Sequence, residues 1–210
     1  MLQRAWVPAL VLTVGLALAG CSSAGGSGGT ASSGAAAPAS SAPAASEPAS
    51  SEPASSAPAA DAATGKTIEG KGYSYTVPEG WDVPSSDVGT SQADSFAADL
   101  KDTDGFSDNV NVVLVDGQAT PDQIEDQAPT GLKSSGATKV AVRDRTTVAG
   151  EETVHVTAVT SANKVKYRVD QFYFPHGSTT YVVTFSFSPK VSEADRDDVS
   201  GSVLSTWQFS

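Results

Sequence analysis

The chain has 210 residues, with 13 basic and 24 acidic side chains, a formal net charge of −11, two histidines and one cysteine. This acidic balance argues against a nucleic-acid-binding protein, because contact with phosphates requires a basic patch. A single cysteine excludes an intramolecular disulfide and a thiolate metal cluster, and two histidines exclude a three-histidine zinc site.

The N-terminus has the pattern of a bacterial lipoprotein signal. One arginine precedes an uncharged apolar run over residues 5–19, which is too short to span a bilayer and ends in LAGC at residues 18–21. Small residues directly before a cysteine form a lipobox, so this segment resembles bacterial lipoproteins. The resemblance implies cleavage between Gly20 and Cys21, loss of a signal peptide of residues 1–20, and a diacylglyceryl thioether on Cys21 that anchors the chain to the membrane. The alternative is an ordinary secretory signal with a chance cysteine.

Residues 21–65 are predicted to form a lipidated, disordered tether. After the cysteine they contain only Ser, Ala, Gly, Pro and Thr apart from three acidic residues, and such a segment cannot bury enough apolar surface to fold. Prolines recur every five residues from Pro38 to Pro58, which stiffens the chain. We expect a spacer that holds the next domain off the membrane and within the cell wall. O-glycosylation of this stalk is an alternative that its composition permits.

Residues 66–210 are predicted to form one α+β domain, an antiparallel sheet flanked by helices. Valine far outnumbers leucine and isoleucine there, and β-branched side chains favour strands. Short turns between consecutive strands require antiparallel pairing. The strands expected in chain order cover residues 73–77, 95–100, 109–115, 139–148, 153–159, 164–174 and 179–187.

Two helices are expected in this domain. Thr120 has the features of an N-cap, with proline at the first helical position and Gln123 at the third. Pro129 is expected to kink or split that helix. Ser192 is expected to cap the second helix, and Trp207 after it is expected to be a core residue.

Four fragments, taken in order, resemble a family of mycobacterial envelope lipoproteins. They are YTVPEGW at residues 75–81, NVNVV at 109–113, VAG at 148–150 and YVVTF at 181–185. Their order is similar to that in the LpqN/LpqT lipoproteins and, more remotely, in the PsbP-like superfamily. The resemblance implies a three-layer α/β/α domain in a non-catalytic, actinobacterial lipoprotein on the extracytoplasmic face of the cell membrane. The proline in the first helix departs from the continuous helix of the family.

No catalytic residue, metal or cofactor is predicted. The chain has no Gly-x-Ser-x-Gly motif, His155 is interpreted as a half-exposed strand residue, and His176 as part of a hairpin turn. A hydrolase with one of these histidines beside a serine is the least favoured hypothesis. Aspartates between residues 99 and 108 suggest calcium, but their spacing does not fit an EF-hand, and a solvated turn is the preferred interpretation.

The predicted ligand site is a groove on one face of the sheet. Apolar residues on both faces require cover on both faces, and two helices are expected to leave part of one face open. We expect a monomer that binds an apolar or amphipathic envelope ligand there. The alternative is an accessory subunit that docks on an envelope protein complex through a sheet edge or a basic stripe of Lys164, Lys166 and Arg168. The residues assigned to the groove are Val113, Val159, Phe172, Phe174 and Val182.

Overall fold

The structure, a computed structural model, describes residues 60–85 and 92–210. The signal peptide, Cys21 and the tether as far as residue 59 lie outside the described residues. Neither helix of the described part is long and apolar enough to cross a membrane.

The described part contains eleven strands and two helices. The helices are α1 (Pro121–Ser134) and α2 (Glu193–Leu204). The strands are β1 (Thr67–Gly70), β2 (Tyr73–Thr76), β3 (Trp81–Asp82), β4 (Ser95–Asp99), β5 (Asn109–Asp116), β6 (Thr138–Val142), β7 (Thr146–Val148), β8 (Glu151–Ala162), β9 (Val165–His176), β10 (Thr179–Phe187) and β11 (Gln208–Phe209).

The strands form a large and a small antiparallel sheet. The larger sheet has the order β3-β4-β5-β10-β9-β8-β6, with β7 also paired to β8, and the smaller sheet has the order β1-β2-β11. Every strand pair is antiparallel. The predicted α+β class, with an antiparallel sheet flanked by helices, is confirmed.

The larger sheet has a helix on each face, so the domain has three layers. On one face, called the α1 face, the buried stripe of α1 (Ile124, Ala128 and Leu132) packs against the larger sheet. On the opposite face, called the α2 face, the C-terminal end of α2 and the smaller sheet cover the larger sheet together. The α1 face includes Val113, Val154, Val156, Tyr173 and Val182, and the α2 face includes Val112, Phe172, Phe174, Val183 and Phe185.

Helix α1 begins as predicted but is not broken by its proline. The Thr120 hydroxyl accepts a hydrogen bond from the Gln123 backbone N–H, and the Gln123 side chain accepts one from the Thr120 N–H. The helix continues through Pro129 to Ser134, so the proline does not split it, and the kink stays a prediction. Burial of the apolar stripe of α1 against the sheet offsets the hydrogen bond that proline removes.

The predicted strand over residues 139–148 is two strands, and this corrects the sequence interpretation. Regular strand pairing stops over residues 143–145, although the Arg143 N–H still donates to the His155 carbonyl of β8 over 2.8 Å. The two arginine side chains there point toward different helices, since Arg143 pairs with Glu193 of α2 and Arg145 pairs with Glu125 of α1. The hairpin between β8 and β9 turns at Asn163 and Lys164, both with positive φ. Such a two-residue turn is typical of tightly paired strands, and it places Lys164 outside the strand.

The packed part of the chain begins before residue 66. The Ala63 N–H donates to the Ser202 carbonyl of α2 over 3.0 Å, and the Gly65 N–H donates to the Val77 carbonyl over 2.9 Å. A Cβ on Gly65 would lie 2.5 Å from the carbonyl oxygens of Val77 and Pro78, so only glycine permits this approach.

Candidate functional site

The five residues predicted to line one groove lie on opposite faces of the larger sheet. Phe172 is paired with Val183 and Phe174 with Tyr181, which places both phenylalanines on the α2 face. They are buried in the core beneath the smaller sheet. Val113 is paired with Val182, and both pack on the α1 face. These residues therefore do not form a common groove.

The error came from β9, whose two faces both carry aromatic and polar residues. Tyr173 faces α1 and Phe172 faces α2, and the polar Asp170 and Gln171 are both buried. Hydropathy along β9 therefore does not indicate which face belongs to which layer. Val159, the fifth predicted residue, is half-buried and lines a different feature of the α2 face.

That feature is a small charged cleft of about 80 Å³. It lies where β6, β8 and β9 meet the N-terminal half of α2, beyond the apolar core of the α2 face. We call it the charged cleft. Its charged lining comprises the basic residues Lys139, Arg143, Arg168 and Arg196 and the acidic residues Asp170 and Glu193, with Thr157 and Val159 between them.

A buried ion pair forms the floor of the charged cleft. Arg196 Nε donates to Asp170 Oδ2 over 2.9 Å, and the two side chains are only 7% and 2% exposed. Arg196 also donates to the Val191 carbonyl over 3.3 Å. A buried charge pair persists only when its remaining donors and acceptors are also satisfied, and the Val191 carbonyl contributes to this.

A second, more exposed ion pair closes one side of the charged cleft. Arg143 Nη1 lies 2.5 Å from Glu193 Oε1, which joins the end of β6 to the first turn of α2. The hydrogen bond to Glu193 raises the pKa of Arg143 above its usual value. Each carboxylate that lines the charged cleft is thus matched by one arginine.

The other two cations of the charged cleft have no carboxylate partner within residues 60–85 and 92–210. Arg168 Nε is buried, and no atom of the described chain accepts a hydrogen bond from it. Lys139 has φ +51° and lies where the register between β6 and β8 shifts, between Thr138 and Ala141. The charged cleft therefore carries excess positive charge in an acidic protein.

His155 lies next to this cleft and is more buried than predicted. Its side chain is 12% exposed, its ring stacks on Phe172 with centroids 4.1 Å apart, and its Nε2 lies 3.8 Å from Asp170 Oδ1. Asp197 is close to His155 and Arg143: desolvation raises the pKa of Asp197, and its electrostatic interactions with these two side chains oppose that shift. The predicted half-exposed position is wrong, because Phe172 lies on the α2 face together with His155.

His176 lies at the end of β9, away from the charged cleft. Its Nδ1 lies 2.8 Å from Glu151 Oε1, and its ring stacks on Phe209 with centroids 3.7 Å apart. In the part of the chain that is described, neither histidine has a serine as a hydrogen-bond partner.

The aspartates between residues 99 and 108 hold a turn. Asp102 and Asp104 accept hydrogen bonds from backbone N–H groups two residues ahead, and Asp108 accepts one from the Ser188 N–H over 2.7 Å. Burial, with the neighbouring aspartates, raises the pKa of Asp108 to about 7. Across the described residues, no three His, Cys, Asp or Glu side chains come close enough to share a metal ion.

Comparison with known proteins gives limited similarities. No family model matches the chain, and no curated protein matches it in sequence. A crystal structure from Bacteroides thetaiotaomicron aligns at 9% identity with a TM-score of 0.42, over 66% of this chain, which spans only 45% of that protein.

Two further solved structures align more completely. LpqN, involved in cell envelope biogenesis of Mycobacterium tuberculosis, is 15% identical over 69% of this chain and 90% of LpqN, with a TM-score of 0.48. The cyanobacterial PsbP protein CyanoP from Synechocystis is 15% identical over 78% of this chain and all of CyanoP, with a TM-score of 0.46. The assignment to the LpqN/LpqT family stays a prediction.

Proposed function

We propose that this chain is an envelope lipoprotein of the LpqN/LpqT kind from an actinobacterium. A lipid on Cys21 would anchor it to the extracytoplasmic face of the cell membrane, and its folded domain would be a non-catalytic binding module. The lipobox and the long spacer in the sequence support the anchor. The observation that carries the binding function is the charged cleft, where Arg168 and Lys139 are unmatched by any carboxylate of the described chain.

The charged cleft fits one polar group of an amphipathic envelope ligand. Pockets that enclose a whole small molecule measure roughly 300–1,000 Å³, whereas this cleft measures about 80 Å³. Four of the five apolar residues predicted for a groove, Val113, Phe172, Phe174 and Val182, are packed in the cores on the two faces of the larger sheet. The apolar part of the ligand would therefore stay outside the domain, in the membrane or the cell wall.

The contacts of both histidines support a non-catalytic role. The His155 ring stacks on Phe172, with its Nε2 3.8 Å from Asp170 Oδ1, and the His176 ring stacks on Phe209 and is hydrogen-bonded to Glu151. A general base needs its nucleophile within hydrogen-bond reach, and within residues 60–85 and 92–210 neither ring has a serine as partner.

The alternative function, an accessory subunit of an envelope complex, is favoured by β6. This strand ends one side of the larger sheet, and its residue Val142 is 42% exposed. Unpaired edge strands can add a strand from a partner protein. Crosslinking in cells distinguishes the two functions, because docking predicts one stoichiometric protein partner.

The proposed function is tested first at the anchor. Mass spectrometry of the full chain expressed in an actinobacterium is expected to show Cys21 as a lipidated N-terminus in the membrane fraction. The C21A variant is expected to lack the lipid. An unmodified Cys21 would overturn the anchor.

The binding module is tested by native mass spectrometry of the mature protein after incubation with an extract of the envelope. We expect a retained compound that R168Q loses and K133Q keeps, since Lys133 is an exposed residue of α1 on the opposite face. Retention of no compound, together with one crosslinked protein partner, would favour the accessory subunit instead.

A further inference from the structure

We propose that the charged cleft is a phosphate site, in which Arg168 and Lys139 bind a terminal phosphate group. The choice of an envelope molecule as the natural ligand rests on the proposed function. The phosphate chemistry itself rests on the residues of the charged cleft.

The balance of charge in the cleft favours phosphate over a carboxylate. Asp170 is paired with Arg196, and Glu193 is paired with Arg143, so these four side chains cancel. Among the residues that line the charged cleft, Arg168 and Lys139 then leave two positive charges that no carboxylate pairs with; Asp197, which interacts with Arg143, lies outside this lining. A phosphate monoester carries about −1.5 to −2 at pH 7 and would neutralise both, whereas a carboxylate would neutralise one.

The hydrogen-bond donors of Arg168 fit the same ligand. Its Nε is buried, and among residues 60–85 and 92–210 it has no acceptor. A buried donor without an acceptor destabilises a fold because it has lost its hydrogen bonds to water. The planar guanidinium fork matches the oxygen spacing of phosphate, so a phosphate oxygen in the charged cleft would accept from Nε.

The backbone at Lys139 places a second cation in the same cleft. Lys139 adopts φ +51° at the irregular register between β6 and β8, a conformation that is uncommon for a residue other than glycine. Bulges of this kind redirect a side chain out of the regular alternation, and Lys139 lines the charged cleft as a result. Strained backbone of this sort concentrates at binding sites.

The size of the cleft sets the size of the ligand group. A water molecule needs roughly 10–15 Å³ of such volume, so about 80 Å³ accommodates a group with the four oxygens of a phosphate and not a complete lipid. The remainder of a phosphate ester would extend out of the charged cleft.

The test is calorimetric titration of the mature lipoprotein in phosphatidylcholine nanodiscs with inorganic phosphate and with glycerol 3-phosphate. We expect one saturable site, at least tenfold weaker in R168Q and several-fold weaker in K139Q. K133Q removes the same charge from the opposite face and is expected to bind as the wild type does. Acetate is expected to bind at least tenfold more weakly than phosphate.

A further variant distinguishes a loss of phosphate binding from a loss of folding. R168K keeps the positive charge but replaces the guanidinium fork by one ammonium, and it is expected to bind phosphate several-fold more weakly than the wild type. Circular dichroism checks that each variant is folded. Three results would each overturn the proposal. They are the absence of saturable phosphate binding, equal phosphate binding by R168Q and K133Q, and acetate binding as tight as phosphate binding.

A second set of nanodiscs identifies the source of the phosphate. With phosphatidic acid in the bilayer, a lipid headgroup that fills the charged cleft would compete and weaken the apparent binding of inorganic phosphate. Unchanged binding would indicate a soluble or wall-bound phosphate ester. Both results support the phosphate site. If phosphate fails while R168Q still loses a compound from the envelope extract, this inference is wrong and the proposed function stands.

Discussion

Asp170 and Arg196 form a buried ion pair, with 2.9 Å between Asp170 Oδ2 and Arg196 Nε, that fastens the N-terminal half of α2 to the centre of β9. The apolar contacts of α2 come from Val199, Val203 and Leu204 in its C-terminal half. The N-terminal half of this helix is therefore held to the sheet mainly by charge, and the charged cleft lies beside that ion pair.

Asn in place of Asp170 is expected to lower the free energy of unfolding by about 3 kcal/mol, because it leaves the Arg196 guanidinium buried without a counter-charge. Urea unfolding followed by circular dichroism measures the change. The matched control is D122N, because Asp122 is 86% exposed and pairs with Arg145 at the surface. That variant is expected to lose less than about 1 kcal/mol. Equal losses in D170N and D122N would show that the buried pair adds no particular stability.

Replacement of Pro129 by alanine is expected to stabilise the protein by about 1–2 kcal/mol. Proline removes the N–H that would bond the Glu125 carbonyl inside α1, while alanine restores it. The control is P121A at the first helical position, where no helical acceptor exists for the N–H and proline is favoured. Thermal unfolding compares the two variants. A loss of stability in P129A as large as that in P121A would show that the proline ring contributes more by packing than it costs.

The sequence predicted the elements whose signals are local. The residue pattern of β5 and β10 extends over eight and nine residues and predicts strands, and the apolar residues on both faces of the sheet indicate cover on both faces. The caps at Thr120 and Ser192 were also predicted correctly, because each hydroxyl bonds a backbone N–H three residues ahead. The position of helix α1 was predicted, but its continuity through Pro129 was not. Packing of α1 against the sheet outweighed the helix-breaking effect of the proline.

The elements that were missed depend on contacts between distant parts of the chain. Strand β11 has two residues and pairs with β2, where Gln208 lies opposite Ser74. A two-residue strand has no periodicity to detect, so the smaller sheet could not be predicted. The charged cleft was missed for the same reason, because its residues come from β6, β8, β9 and α2. One signal was present in the sequence. Arg196, Ser200 and Val203 are spaced so that they lie on one side of α2, and this side is buried. Arg196 therefore belongs to the inner face of the helix.

Alanine in place of Ser95 is expected to destabilise the protein by about 1–3 kcal/mol. The Ser95 hydroxyl lies 2.7 Å from the Tyr73 hydroxyl and 3.1 Å from the Tyr75 hydroxyl, and it joins β4 to the smaller sheet. Burial raises the pKa of both tyrosines above the usual value, so each stays neutral and needs a hydrogen-bond partner. Chemical unfolding of S95A is compared with that of S178A, whose serine is exposed in a turn. If the free energies of unfolding of S95A and S178A lay within about 0.5 kcal/mol of each other, this role for Ser95 would be contradicted.

Asp108 is expected to make stability fall as the pH rises from about 4 to about 7. Burial and the charges of Asp102, Asp104 and Asp99 raise its pKa to about 7 in the folded chain, against an ordinary value of 3.8. The folded state then binds more protons than the unfolded state between these two values, so stability is lost as the pH rises through that window.

The D108N variant removes the charge and keeps a carbonyl oxygen to accept from the Ser188 N–H. It is therefore expected to be more stable than the wild type at pH 8 and nearly equal to it at pH 4, as measured by urea unfolding at pH 4, 6 and 8. The control D116N removes the charge of an exposed aspartate at the end of β5 and is expected to leave the slope of stability against pH unchanged. If the difference in stability between D108N and the wild type were the same at pH 4, 6 and 8, the Asp108 carboxyl would have the same pKa in the folded and the unfolded chain. Its burial would then have no energetic consequence.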